Sequence, residues 1–463
     1  MGATGESVRR LTDFGFDPSW SPDGKELVVS SIALGPTPYE RSGTGELSIV
    51  TVSSGQRRRL ALGRDAVQPR WSPHGDRIAF WSADRPTAQR DIWTISIAGG
   101  DPVAVTHDQA VDWNPVWAPN GRHLYFASDR SGVMNIWRVP MDESSGKVLG
   151  VPESLNLPAS SYDGFSLSSD GRLAYAAVDR RSTLQRIDID PTRATVTSAP
   201  SLLVQSPRTV RWLDWSPDDE MLAFATTSSG AGDNIYVVHA DASGYRQLTD
   251  DAFRNRGPRW YPDGSRILFY SNRSGSYQAW SIRPDGSGLE QLTNTPTGVV
   301  LPTMAPTGNR IAFVPSLSDK WAIADLRASG AEHIEELSAS PSAPLSNQPT
   351  SWSPDAKRIT LSSATRPDLD STIVVYDLDS KQYLDIHIRG RSAYWLPDSR
   401  RLLYVEQGKV TMLDTATHRT REVYRLLGQV TLENTGFTLS HDGRRIALVA
   451  VEEQSDLWLA GRQ

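Results

Sequence analysis

The sequence predicts an all-β protein made of repeated four-stranded antiparallel sheets, and three observations carry that prediction. A five-residue unit of the type W-S-P-D-G recurs ten times, at intervals of 43 to 51 residues. Each copy is followed by a short apolar or alternating stretch of strand type, and helical periodicity is nearly absent. Of the 15 tryptophans, seven stand at the first position of the unit and five in a later strand, so these aromatic residues are expected to pack between neighbouring repeats. Four strands per period in the forties describe the blade of a β-propeller.

The copies begin at Trp20, Trp71, Trp117, Leu167, Trp215, Trp260, Met304, Trp352, Trp395 and Leu439. Proline presets the dihedral of a tight turn, Asp or Asn caps it, and Gly supplies the left-handed residue that a hairpin exit requires. The unit is therefore a hairpin between a first and a second strand. Second strands follow, as in Arg77-Ile-Ala-Phe-Trp81 and Arg266-Ile-Leu-Phe-Tyr270. A loop such as Ser128-Asp-Arg-Ser-Gly132 or Ser271-Asn-Arg-Ser-Gly275 leads to a third strand such as Asp91-Ile-Trp-Thr-Ile95. The fourth strand ends in Leu-Thr, as in Arg246-Gln-Leu-Thr249.

The segment Val8-Arg-Arg-Leu-Thr12 has fourth-strand character but precedes the first unit, while Trp458-Leu-Ala-Gly461 stops just past a third strand. The N-terminal strand is thus expected to complete the last blade and remove an open sheet edge. On that reading residues 1–463 form a single closed propeller of about ten units. The alternative is two adjoining propellers with a boundary near 141–205, where the fourth unit is weakest; a break there leaves six units in the C-terminal part.

Composition narrows the chemistry. Lys and Arg number 48 against 54 Asp and Glu, a net charge of −6, without the basic excess of a nucleic-acid surface. There is no cysteine, which removes disulfides, thiolate metal sites and a cysteine nucleophile. The longest wholly apolar run, Ile446 to Val451, falls far short of the roughly 20 residues that span a bilayer, so no membrane insertion is expected. The N-terminal residues lack a charged segment followed by an apolar one, and no secretory signal is expected. A periplasmic location follows if the chain is a mature or excised segment, a cytoplasmic one otherwise. No nucleophile elbow G-x-S-x-G occurs. The eight histidines, among them His74, His107, His239, His418 and His441, show no ligand spacing. No catalytic residue, metal or cofactor is expected.

With the W-S-P-D-G turn, the S-x-R-x-G loop, the D-I-W strand and the terminal L-T together, the chain resembles the Pro-Asp-repeat propellers of the TolB C-terminal domain type. That resemblance runs over essentially the whole chain and implies the propeller fold. It implies less about function, because such repeats occur in periplasmic binding propellers, beside peptidase domains, and as sensory parts of kinases and regulators.

Binding is expected where first strands begin at a channel mouth, three to five residues before the motif position, because these residues vary among repeats while the rest recurs. The candidates are Phe16, Asp17, Gln68, Trp113, Asn114, Asp163, Arg211, Trp212, Arg256, Gln348 and Arg391. Trp113 and Trp212 stand outside the repeated tryptophan positions, and Arg and Trp are common interface anchors. The expectation is a monomeric, non-catalytic binding, sensing or scaffolding propeller that engages a protein, peptide or polar ligand. The alternative is a metal-dependent propeller lyase or lactonase.

Overall fold

In the computed structural model each of the ten motif units forms the turn between two antiparallel strands. The structure describes residues 9–32, 44–84, 89–108, 110–131, 134–157, 161–227, 232–316, 318, 320–327, 334–341, 345–364, 372–426 and 431–461. They are all strand, turn and loop, and none of them forms a helix long and apolar enough to cross a membrane.

The turn is stabilised as its residue types predict. Ser21 Oγ donates to Asp23 Oδ1 at 2.7 Å and accepts from the Glu26 N–H at 2.9 Å, while Gly24 N donates to Ser21 O at 2.9 Å. Gly24 has φ 69°, a conformation that costs other residues roughly 1–2 kcal/mol. Glycine at this position also touches the neighbouring repeat. A Cβ on Gly75, Gly264, Gly308 or Gly443 would lie 3.6, 3.9, 3.5 or 2.9 Å from the ring of Pro22, Pro217, Pro262 or Pro397, each the motif proline one repeat earlier.

The chain divides into two compact units, and the division falls inside two long strands, Leu173–Asp190 and Arg445–Ala460. The first unit comprises Met1–Asp84, Gln89–Asp179 and Ser455–Gln463. Its first strands are Phe16–Trp20, Val67–Trp71, Asp112–Trp117 and Ser161–Leu167, each beside the next. Trp71 and Trp117 are buried, but Trp20 is 57% exposed and Trp458 45%. Expected packing therefore fails at these two tryptophans, although Trp458 does stack on Tyr175.

The second unit comprises Arg180–Gln454 with Arg85–Ala88. Its inner strands are Thr209–Trp215, Arg256–Trp260, Val300–Met304, Leu345–Trp352, Arg391–Trp395 and Thr431–Leu439. Each lies beside the next, and the last lies beside the first, so the six close into a cycle. A typical blade runs outward as Thr209–Trp215, Met221–Thr227, Asn234–His239 and Arg246–Gln247. Apolar side chains from facing sheets fill the gaps between blades, as where Trp260, Ile267 and Phe269 meet Ala223, Ile235 and Val237.

The closing strand differs from the expected one. Thr431–Leu439 pairs with the start of Arg445–Ala460, Ile189 N donates to Arg444 O at 2.7 Å, and residues 182–186 pair with Ser201–Ser206. The outer half of this blade thus comes from residues 180–206 and not from the N-terminus. Arg9–Thr12 carry no strand, and Arg9 donates to the carbonyls of Val52 and Ser53; Val8 lies outside the described residues. The physical reason is apolar burial. Ile187 and Ile189 pack with Leu396, Ile446 and Leu448, and Leu184 with Val449, whereas Val8–Thr12 carries two arginines that have nothing to gain there.

A polar latch joins first and last blades of the cycle. Asp219 replaces the motif glycine of the fifth repeat at φ 60°, and its carboxylate accepts from His441 N at 2.7 Å and Asp442 N at 2.9 Å. Ser399 does the same for Asp355 N at 3.1 Å between consecutive repeats, and Glu143 for His74 N at 3.0 Å in the first unit. Burial works against charge on His441, but the hydrogen bond to Asp219 and the charges of Asp214 and Asp219 outweigh it and raise its pKa. The protonated ring therefore stabilises the fold. That contribution is complete below about pH 6.5 and disappears as pH rises through the higher folded value.

Asp219→Ala should lower unfolding free energy by about 2–4 kcal/mol in urea titrations and remove the His441 part of the pH dependence. Asp219→Gly should cost about 1 kcal/mol less, because glycine relieves the positive φ.

Candidate functional site

All ten first strands break register with their partners just before the motif. In seven of them the residue three before the motif position is left-handed: Asp17, Gln68, Asn114, Trp212, Gly257, Leu301 and Ser392, with φ between 50° and 62°. This is a recurrent β-bulge, a device that re-aims side chains at a strand end. Variation among repeats here is therefore not freedom from scaffold demands. The backbone demand is constant, and Trp212 and Leu301 meet it under strain.

In the first unit, Gln68 is buried and its Oε1 accepts from Trp81 Nε1 at 3.0 Å and from Asn114 N at 3.1 Å. Two of the predicted residues are thereby joined. Trp113 is 7% exposed and contributes to packing rather than to an open mouth. Asp17 is half-buried, and burial raises its pKa against the opposing charge of Arg70. One of its oxygens is buried without a hydrogen-bond partner. Phe16 is half-buried beside it. The side chain of Asp163 lies outside the described residues.

In the second unit, Arg211, Trp212 and Arg256 come together. Trp212 is 8% exposed and packs edge-on against Tyr270, with ring centroids 6.2 Å apart. The guanidinium carbons of Arg211 and Arg256 lie 5.9 and 5.8 Å from its ring centroid. Arg256 is buried, paired with Asp233, and donates to Tyr277 Oη at 3.3 Å. Trp212 is thus a packing residue, unlike the free anchor expected, though two arginines approach its ring. Gln348 is exposed and Arg391 half-buried.

Sequence reading missed the partners that fix these residues. Asp233 and Tyr277 come from third strands and the residues just before them, where only the tryptophan had stood out. It also missed a buried group lower on the inner strands: Asp214 Oδ2 accepts from Trp260 N at 2.7 Å, and burial raises the pKa of both Asp214 and Tyr394, with Arg259 opposing the shift in each. Their shared position, directly before the motif residue, was the available signal. Among the described residues no three His, Asp or Glu side chains are placed to hold a metal ion.

Comparison with known proteins gives a match to the TolB beta propeller domain over residues 1–199 and 165–381, well over half of the chain. The chain belongs to the TolB β-propeller family. Curated relatives of this TolB-type propeller include dipeptidyl-peptidase 5 of Porphyromonas gingivalis, 27% identical over 34% of this chain and 23% of the relative. The Tol-Pal system protein TolB of Anaeromyxobacter dehalogenans is 35% identical over 22% of this chain and 21% of its own. The uncharacterized peptidase YuxL of Bacillus subtilis is 26% identical over 44% and 29%. The chain spans between 21% and 55% of the length of the curated relatives it matches. Among solved structures, TolB of Acinetobacter baumannii aligns over 80% of this chain and 84% of its own at 16% identity, with a TM-score of 0.34.

The bulge makes a prediction that inverts the usual order of alanine and glycine. Leu301→Gly should be more stable than Leu301→Ala by about 1 kcal/mol in thermal or urea unfolding, since only glycine adopts φ 52° without strain.

Proposed function

We propose that this TolB-type propeller is a non-catalytic binding module that takes a protein, peptide or polar ligand where its inner strands begin. The observation that carries the reading is the left-handed bulge recurring at one level in both units. A strained, repeated backbone device at strand ends serves presentation of side chains better than it serves stability. In the second unit it presents Arg211 and Arg391, and a register break without a left-handed residue carries Gln348; none of the three is fully buried. These residues suit a segment with carboxylate or amide groups.

The peptidase-named relatives do not carry an enzymatic reading to this chain, because the matched stretches are minor shares of those proteins and no nucleophile elbow occurs in the sequence. A lyase or lactonase would be favoured by converging His and carboxylate ligands. The described residues offer no such group.

The test pairs an array of random dodecapeptides with dipeptidyl p-nitroanilide substrates. The expected outcome is a bound peptide set that Arg211→Glu and Arg391→Glu each weaken at least about tenfold, and no anilide turnover above the buffer blank. Equal binding by both variants, or measurable turnover, overturns the reading.

A further inference from the structure

A polar network recurs between neighbouring repeats, and two of its copies differ in one revealing way. Between the fifth and sixth repeats, Thr249 Oγ1 donates to Asn234 Oδ1 at 2.9 Å and accepts from Ile235 N at 3.0 Å. Arg273, from the S-x-R-x-G loop, donates to Asp251 Oδ2 at 3.0 Å and Asn255 Oδ1 at 2.6 Å. One carboxylate faces one guanidinium, and two amides complete the set.

The corresponding residues between the second and third repeats are Asp91, Thr106, Asp108, Asp112 and Arg130. Thr106 Oγ1 donates to Asp91 Oδ1 at 3.3 Å and accepts from Ile92 N at 2.9 Å. Arg130 Nη2 reaches Asp112 Oδ1 and Oδ2 at 3.1 and 3.0 Å and Asp108 Oδ2 at 3.3 Å. The arginine also stands over the same kind of ring pair, Phe126 and Trp137 here, Phe269 and Trp280 there. Both amides of the other copy are replaced by carboxyl groups. Asp108 and Asp112 now share one guanidinium while Asp91 stands behind Thr106, and two of these three carboxyl groups are deeply buried, Asp91 at 6% and Asp112 at 0% exposure.

We propose that Asp91 and Asp112 hold one proton between them in mildly acidic solution, standing in for the amides Asn234 and Asn255, and that loss of this proton loosens the junction beneath Trp113 and Asn114. A protonated carboxyl group has the planar shape of an amide and, unlike a carboxylate, a hydrogen to donate, so the network keeps its geometry only while the proton is present. Two neighbouring buried carboxylates cannot both ionise cheaply. The surrounding charges do not cancel the excess. Arg64 interacts with the charges of Asp84, Asp91 and Asp65, the buried Arg90 directly precedes Asp91 in its strand, and Asp129 lies beside Arg130, where it accepts from Val111 N at 2.7 Å. Burial first, then the charge of Asp112, pushes Asp91 up to about 7; burial, opposed by Arg130, pushes Asp112 up to about 6.

The sign of the linkage is fixed by these shifts. The folded protein holds a proton that the unfolded chain releases near pH 3.8, so the stability this proton contributes falls as pH rises from about 4 to about 7 and changes no further beyond. The proposal does not depend on what the propeller binds.

The experiment measures thermal unfolding of the full chain from pH 4 to pH 8 for the parent, Asp91→Asn, Asp112→Asn and the exposed control Asp101→Asn, which lies outside the network. The expected result is that Asp91→Asn or Asp112→Asn gains on the parent by more than about 2 °C between pH 4 and pH 7, while the control follows the parent. An infrared band of a protonated carboxyl group, present in the parent at pH 6 and lost in the same variant, accompanies it. A difference between variant and parent that stays constant over this range overturns the proposal. Asparagine at both positions is what the other junction already carries, and either single variant suffices for the test.

Discussion

The contact between one motif turn and the next is the constraint on which the rest of this propeller depends. Proline and glycine of W-S-P-D-G do more than shape a hairpin, because at four junctions the glycine of one repeat faces the proline ring of the repeat before it. The same turns are joined by side-chain acceptors, Ser399 on Asp355 N and Asp219 on His441 N and Asp442 N. A fixed spacing of turns fixes the angle between sheets. The apolar clusters then fill gaps whose width the turns have already set.

This arrangement explains why the fold was legible. Ten copies of a turn with fixed residue types cannot be mistaken for helix, and the strands Ile267–Ser271 and Gln278–Ile282 fall where the repeat places them. The closing strand was not legible, since Val8–Thr12 and residues 180–206 both offer alternating strand character. The choice depends on which of them buries more apolar surface against Ile446 and Leu448, a property of tertiary packing that no local pattern shows. Trp20 and Trp458 were misread for a related reason, because a repeat position predicts burial only where a neighbouring sheet covers it.

The candidate site was half legible. The variable positions before the motif coincide with the bend of the inner strands. The bend itself was not legible, since a left-handed residue at Asp17 or Asn114 looks ordinary in sequence, and at Trp212 or Leu301 it is invisible. Burial of Trp113 and Trp212 could not be separated from exposure without knowing that Gln68 and Tyr270 close over this level. The excess carboxylate between the second and third repeats was written in the sequence, but only alignment of Asp91 and Asp112 with Asn234 and Asn255 on the network exposes it.

The closure of the six-strand cycle has a consequence for how the chain is made. Asp219 and His441 stand 222 residues apart, and one edge of the strand segment at residues 182–190 waits for Arg445–Ala460, which is synthesised long after it. At roughly 5–20 residues per second, that edge stays unpaired on the ribosome for on the order of 10–50 s. Leu184, Ile187 and Ile189 are exposed throughout that interval. The nascent chain therefore carries an apolar open strand edge until Arg445–Ala460 emerges, and its yield in a cell depends on what shields that edge in the meantime.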